Sequence, residues 1–252
     1  MKLEINREEL ESIIHLGDVT DPCPYLPGRE ATLRFGNGRL VGRHYQQLLD
    51  WGYRRNGVYV YRPVCQSCRE CWVLRVPVAQ FQMTKSQRKI WNRGLTHFEV
   101  DWGSCAYTPE KAALYQRYLA FQHGTEEGPV DEARYSAFLV DSCLTHETLE
   151  VRYRINGRLA GLGIVDRLEH ALSTVYFYFD PEFARLSPGT WSALYEIHLA
   201  RQWRLPHYYL GYYIPGCASM NYKARFRPCE IKQPDTPGWS PHEPADFPLW
   251  DK

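Results

Sequence analysis

No stretch of the 252-residue sequence approaches the ~20 consecutive apolar residues that a membrane span needs. The opening residues, MKLEINREELESIIHL, lack the basic start and apolar block of a secretory signal. Both absences lead us to expect a cytoplasmic chain without a membrane partner. Charge of either sign has no surplus: 30 Lys+Arg stand against 29 Asp+Glu, a net charge of +1. That excludes a polycationic tail or a histone-like binder, but a sum hides distribution and leaves room for a local basic groove. Eight cysteines are too few for a disulfide scaffold of this length, and there is no internal repeat or low-complexity tract. What is present is ordinary globular material, 44% hydrophobic and 23% charged, enough for a sizeable core. At roughly 150 residues per domain it makes one large domain or two small ones. Aromatics are the surplus, at 14% with 18 Tyr and 8 Trp.

Along the chain, prolines and glycines make residues 18–37 mostly loop and turn, with a short strand at 32–35. Residues 40–51 read as a helix with Leu40, His44, Leu48 and Trp51 on one stripe, stopped by Gly52. Residues 53–62 form a hairpin turning at Asn56-Gly57, and 72–78 a strand. Helices are expected at 109–122 and 131–144, with a loop at 123–130 between them. Leu149, Val151, Tyr153 and Ile155 alternate with Glu150, Arg152 and Arg154, the mark of a half-buried strand. Asn156-Gly157 turns it into a return strand at 159–166, and a third strand covers 172–179. Ser187-Pro188 offers an N-cap and a first-position proline for a helix over 188–203. A last strand follows at 207–213.

Two clusters carry chemistry on their own spacing. Cys65, Cys68 and Cys71 form C-x-x-C-x-x-C, and with Cys23 four thiolates could hold zinc or an iron–sulfur cluster. The alternative is reduced thiols with no metal. Cys105, Cys143, Cys217 and Cys229 are scattered and read as structural. Residues 81–94 are basic, with Lys85, Arg88, Lys89 and Arg93 around Trp91. They suit a nucleic-acid backbone or, more blandly, a solvated helix face. Arg54, Arg55 and Arg62 make a second cationic group.

The order of two helices, three meandering strands, a helix and a strand is the core of the GNAT acyltransferase fold. We therefore expect an α/β (α+β) protein whose mixed sheet is flanked by helices, preceded by a small Cys-containing N-terminal region. Three segments make the resemblance more specific. They are Arg54-Arg55-Asn56-Gly57 with Tyr61-Arg62-Pro63-Val64-Cys65-Gln66-Ser67-Cys68-Arg69-Glu70-Cys71, residues 81–93 around Ser86-Gln87-Arg88, and residues 211–223, GYYIPGCASMNYK, ending in Phe226-Arg227-Pro228. With Phe179-Asp180-Pro181 and Leu186-Ser187-Pro188-Gly189 they resemble the arginyl-tRNA–protein transferase family from about residue 23 to 230, in a short, bacterial-type layout. The organisation expected is an N-terminal transferase region at 1–100 with the cysteines and the basic segment, a GNAT-like region at 101–235, and a Pro-rich tail at 236–252.

The resemblance implies an aminoacyltransferase. A bacterial-type member would move leucine from leucyl-tRNA to the N-terminal amine of a protein beginning with Asp or Glu, marking it for N-degron degradation. Other members transfer arginine, and the donor is not readable here. The chemistry requires placement, removal of an ammonium proton and stabilisation of an oxyanion, with no cofactor. Tyr212, Asn221 and Lys223 follow the strand that splays in a GNAT fold and are the catalytic candidates, with base and oxyanion roles undivided between them. The competing reading packs the tyrosines in the core and leaves Lys223 at the surface. Substrate-binding candidates are Arg54, Arg55, Arg62, Lys85, Ser86, Arg88, Gly189, Tyr213 and Tyr222. Among relatives, N-terminal cysteines are linked to an iron–sulfur cluster. The relatives that bind it have cysteine where this chain has Leu26, so Cys23-Pro24-Tyr25-Leu26 keeps only the first. Ser187-Pro188-Gly189-Thr190 stands where coenzyme-A users carry a glycine-rich loop, and Pro188 removes one donor there. A coenzyme-A N-acetyltransferase and a non-catalytic zinc-knuckle RNA-binding module are the rival readings.

Overall fold

The computed structural model describes residues 5–124, 128–144 and 147–243. In chain order the elements are α1 (Arg7–Ile14), β1 (His15–Pro22), β2 (Glu30–Asn37), α2 (Tyr45–Asp50), β3 (Arg54–Asn56), β4 (Tyr59–Pro63), β5 (Trp72–Pro77), α3 (Lys85–His97), β6 (Glu99–Ser104) and α4 (Pro109–His123). They continue with α5 (Glu132–Tyr135), β7 (Thr148–Ile155), β8 (Arg158–Arg167), β9 (Ala171–Phe179), α6 (Pro188–Gln202), β10 (His207–Tyr213), α7 (Ala218–Asn221), β11 (Cys229–Lys232) and β12 (Ser240–His242). Short 3-10 turns at Gly38–Leu40, Gly42–His44, Pro181–Leu186 and Tyr222–Arg225 link them.

Two sheets result. A four-stranded antiparallel sheet runs β1-β2-β4-β3, and an eight-stranded one runs β12-β11-β5-β10-β9-β8-β7-β6. In the large sheet β9 and β10 are parallel and every other neighbouring pair is antiparallel. This is the mixed, GNAT-like sheet flanked by helices that the element order implied. Strand β5, from the N-terminal region, pairs with β10 near the sheet centre, and β12 adds residues of the Pro-rich tail to its edge. One face packs α3 and α6 over Leu74, Val151, Leu172 and Tyr208. The other face is shared. Helices α4 and α5 cover Leu162, Ile164 and Tyr178, while α1, α2 and the small sheet enclose Leu48, Val60, Tyr209 and Tyr212.

Local chemistry explains several elements. Asn156-Gly157 turns β7 into β8 with both residues at positive φ, 50° and 77°. Helix α3 opens with a reciprocal cap: Gln87 N–H donates to Thr84 Oγ1, and Thr84 N–H donates to Gln87 Oε1. It then crosses α6 so closely that a Cβ on Gly94 would overlap the Trp191 indole, whose Nε1 donates to the Trp91 carbonyl at 3.1 Å.

Some expectations fail for physical reasons. The helix over 40–51 is two 3-10 turns followed by α2, because Gly42 takes φ 50° and interrupts the ladder. Leu40, placed on its stripe, is exposed. The loop over 18–37 contains most of β1 and all of β2. The helix over 131–144 is the short α5 continued by a π-helical turn, Ser136–Val140. Ser187 makes no cap bond. Its φ of 58° turns the hydroxyl away, where it accepts from Arg93 Nη2 at 3.4 Å. Of the loop over 123–130, residues 125–127 lie outside the described residues.

Candidate active site

Strands β9 and β10 pair only at His207↔Ala171, Tyr208↔Leu172 and Tyr209↔Ser173. Beyond that rung they part. A bulge in β10 between Tyr209 and Gly211, with Gly211 at φ 85°, turns the strand toward β5. Residues 174–177 of β9, left without β10, are half-buried, whereas Ala171–Ser173 are fully buried. The opening is a fork in the centre of the sheet.

Arg54 reaches this fork from β3. Its Nη1 donates to Ser173 Oγ at 3.1 Å and its Nη2 to the Thr174 carbonyl, and its guanidinium lies against Gly211. Lys223, in the turn after α7, sits on the β10 side. Its Nζ donates to the Tyr212 carbonyl at 2.8 Å and approaches Met220 Sδ at 3.8 Å. Burial, with the nearby Arg54 charge, brings the Lys223 amine down to about 7. Lys223 is therefore not the surface residue that the competing reading made it. Among the described residues, neither cation has a carboxylate partner.

A carboxylate lies on the opposite side of the sheet. Glu196 of α6 is fully buried, accepting from Tyr208 Oη at 2.7 Å and Ser192 Oγ at 3.1 Å. Burial pushes it up to about 7 against the hydrogen bonds from Tyr208, Thr174 and Ser192. Thr174 thus connects both sides: its side chain serves Glu196 and its carbonyl receives Arg54. Tyr222 is 39% exposed. Burial and its neighbours Tyr118 and Glu196 push its phenol up to about 12. Sequence reasoning left Glu196 out of the site. Its signal was the single carboxylate within residues 188–203.

The remaining candidates divide. Tyr212 meets the fork through its carbonyl, since its hydroxyl donates to the Gly52 carbonyl at 2.7 Å. Asn221, half-buried, ends α7 two residues before Lys223. Tyr213 is core, its ring against Trp72 and His242 at 5.8 and 5.0 Å. Arg55 points the other way from Arg54 along β3 and is spent on Asp166, with Nε and Nη2 each at 2.8 Å from its carboxylate. Arg62 is paired with Glu11 at 3.2 Å. Lys85, Ser86 and Arg88 are exposed on α3 and are not among the residues that line the fork, and Ser86 Oγ is 3.1 Å from Thr84 Oγ1. Gly189 lies in the first turn of α6, 3.9 Å from the Phe177 ring if given a Cβ. Trp91 stacks inward on Trp191 and Tyr195, so it is not free to stack on a base.

Cys23, Cys65, Cys68 and Cys71 line one cavity of about 230 Å³ with Tyr25, Leu26, Leu33, Tyr61 and Ile214. Burial and the three neighbouring thiols push Cys71 up to about 12. Cys68 Sγ accepts from Arg29 Nη1 at 3.4 Å. Among the described residues, no three Cys, His, Asp or Glu side chains converge on a metal position. The donors are right for zinc or a cluster, but their arrangement does not fit one. Cys105, Cys143 and Cys229 are raised by burial to about 12, 11 and 11, which suits unreactive thiols.

No described helix is long and apolar enough to cross a membrane. A family model described as the arginine-tRNA-protein transferase N terminus matches residues 21–89, and its C-terminus counterpart matches residues 110–233. The aspartate/glutamate leucyltransferase of Chromobacterium violaceum is 38% identical over 213 residues, covering 83% of this chain and 87% of the relative. Its namesake in Hahella chejuensis is 33% identical over 227 residues, covering 88% and 95%. Among solved structures, a C-terminal domain of the DUF2156 type from Agrobacterium fabrum aligns with a TM-score of 0.50 at 14% identity, covering 66% of this chain and 60% of that one. That last likeness concerns the fold alone.

Proposed function

The chain belongs to the arginine-tRNA-protein transferase family and is an aminoacyltransferase, and from that premise we propose that it moves leucine from leucyl-tRNA to the N-terminal amine of proteins beginning with Asp or Glu. Leucine as donor and the acidic acceptor are suggested by relatives named aspartate/glutamate leucyltransferase, and a cytoplasmic N-degron role is part of the same proposal. Nothing in the comparisons supports a zinc-knuckle binding module.

The observation that carries the mechanism is a buried lysine, brought down to about 7, at the fork of the sheet. An aminoacyl ester is already activated. The acceptor amine must lose a proton, attack the ester carbonyl and pass through a tetrahedral oxyanion. The amide then forms as the ester C–O bond breaks, and the tRNA leaves with its 3′-hydroxyl. In this reading Lys223 Nζ is substantially neutral near pH 7 and takes the ammonium proton, which it passes to solvent, while the second proton, lost by the nitrogen as the amide forms, ends on the departing 3′-oxygen. Its bond to the Tyr212 carbonyl fixes where the nitrogen lone pair points. Asn221 and Tyr222 supply oxyanion donors from the same turn. Arg54, without a carboxylate partner among the described residues, supplies positive charge for the acceptor's acidic side chain.

The test is a transfer assay with labelled leucyl- and arginyl-tRNA side by side, on peptides differing only in residue one. Leucine should reach peptides that begin with Asp or Glu and no others. Transfer of arginine instead would overturn the donor assignment, and transfer of neither would overturn the activity.

A further inference from the structure

Over much of the surface, arginines hold carboxylates. Arg34 pairs with Asp18, Arg69 with Asp235, Arg152 with Asp101, Arg154 with Glu110 and Arg158 with Glu182. One face departs from this habit. Residues 76–98, 183–195 and 214–229 contain no Asp or Glu at all. The fold brings these three segments together. Arg93 Nη2 donates to Ser187 Oγ at 3.4 Å, Gln87 Nε2 donates to the Arg225 carbonyl at 3.1 Å, and Phe81 stacks on Phe226 at 6.4 Å.

Six of their cations stand exposed together. Lys85, Arg88, Lys89 and Arg93 lie on α3, with Arg185 and Arg225 beside them. Where they bond, they bond to neutral acceptors: Arg88 Nη1 to the Met83 carbonyl at 2.7 Å, and Arg93 to the Ser187 hydroxyl. Such bonds leave the charge uncompensated. Lys85, Lys89 and Arg93 recur every four residues, a stripe of roughly 12 Å at 1.5 Å per residue. The stripe leads to the fork, because Arg225 is two residues beyond Lys223. With a chain total of only +1, the rest of the molecule is net acidic.

We propose that this carboxylate-free face is the surface on which the phosphates of the donor tRNA dock, aiming its 3′ end at the fork. The proposal rests on the tRNA-dependent reading above. A row of cations fits a polyanion with repeated charges, whereas one acidic N-terminal residue needs a single partner. With Trp91 turned inward, the face offers phosphate contacts rather than base stacking, so docking is independent of tRNA sequence.

The test is fluorescence anisotropy of labelled, deacylated tRNA between 50 and 200 mM salt, with unchanged thermal melting as the folding check. Each lost phosphate contact lowers the slope of log affinity against log salt by about 0.7–0.9. The triple variant Lys85→Ala/Lys89→Ala/Arg225→Ala should lose about two units of slope and at least tenfold in affinity. Lys89→Ala alone should lose about 0.7–0.9. Arg154→Ala, on a paired arginine elsewhere, should match wild type. A wild-type slope in the triple variant overturns the proposal. So does binding to vesicles of phosphatidylglycerol and phosphatidylcholine that the triple variant loses while its tRNA affinity stays. If wild-type protein transfers leucine and the slope does not move, only the surface fails. If no amino acid is transferred, the underlying reading fails.

Discussion

Arg54 and Arg55 are neighbours in one short strand, yet they serve two regions with opposite habits. Strand alternation sends Arg55 into the layer between the sheets, where Asp166 accepts two bonds and Thr148 joins them. Both partners are at most 1% exposed in their side chains. Arg54 goes to the fork, where it meets a hydroxyl, a carbonyl and the lysine amine that it helps keep neutral. In the first region every charge is matched, and the ensemble resists change. In the second, a buried guanidinium and a buried amine meet only neutral acceptors. Such an arrangement costs stability and is what a site for an anionic, reacting ligand requires.

That contrast can be broken in order of severity. Lys223→Ala should lower leucine transfer by about 10²–10⁴-fold, the usual contribution of a positioned acid–base group, while the melting temperature holds or rises. Arg55→Ala should do the reverse. Leaving Asp166 as an unpaired buried charge costs about 3–5 kcal/mol, read from urea unfolding. Arg54→Ala should fold with a smaller loss, about 1–3 kcal/mol for the unmet Ser173 and Thr174 acceptors, but fail to distinguish acidic from neutral acceptor peptides. Gly94→Ala, which drives a methyl into Trp191, should cost about 1–3 kcal/mol by overpacking the α3–α6 crossing. The lysine also has a signature in stability. It binds a proton up to its ordinary 10.5 when unfolded but only to about 7 when folded. Stability therefore gains from this group as pH rises from 7 toward 10.5, and Lys223→Met should flatten that gain.

Sequence legibility followed the same division. The β7–β8 hairpin, the fork strand β10 and the long helices α4 and α6 were readable, because alternation, Asn-Gly and first-position prolines are local signals. Strand β1 was not, since HLGDVTDP has both faces largely exposed and so no alternation to read. Edge strand β6, EVDWGS, is hidden for the same reason. The 211–223 segment could be singled out through its family resemblance, but not the burial that sets the lysine's protonation. Arg55 looked like Arg54 because its partner lies 111 residues away. Spacing brings Cys65, Cys68 and Cys71 together but not Cys23, which lines the same cavity only through the fold, and it could not say whether the thiols close on a metal.

The most direct measurement is the single-turnover rate of leucine transfer to an Asp-initiated peptide as a function of pH, for wild type and Lys223→Ala. Wild type should rise through about pH 7 and then level off as the lysine becomes neutral, and the variant should stay low without that inflection. Wild-type turnover in a folded Lys223→Ala protein, with the inflection intact, would contradict the assignment of the fork as the reaction centre.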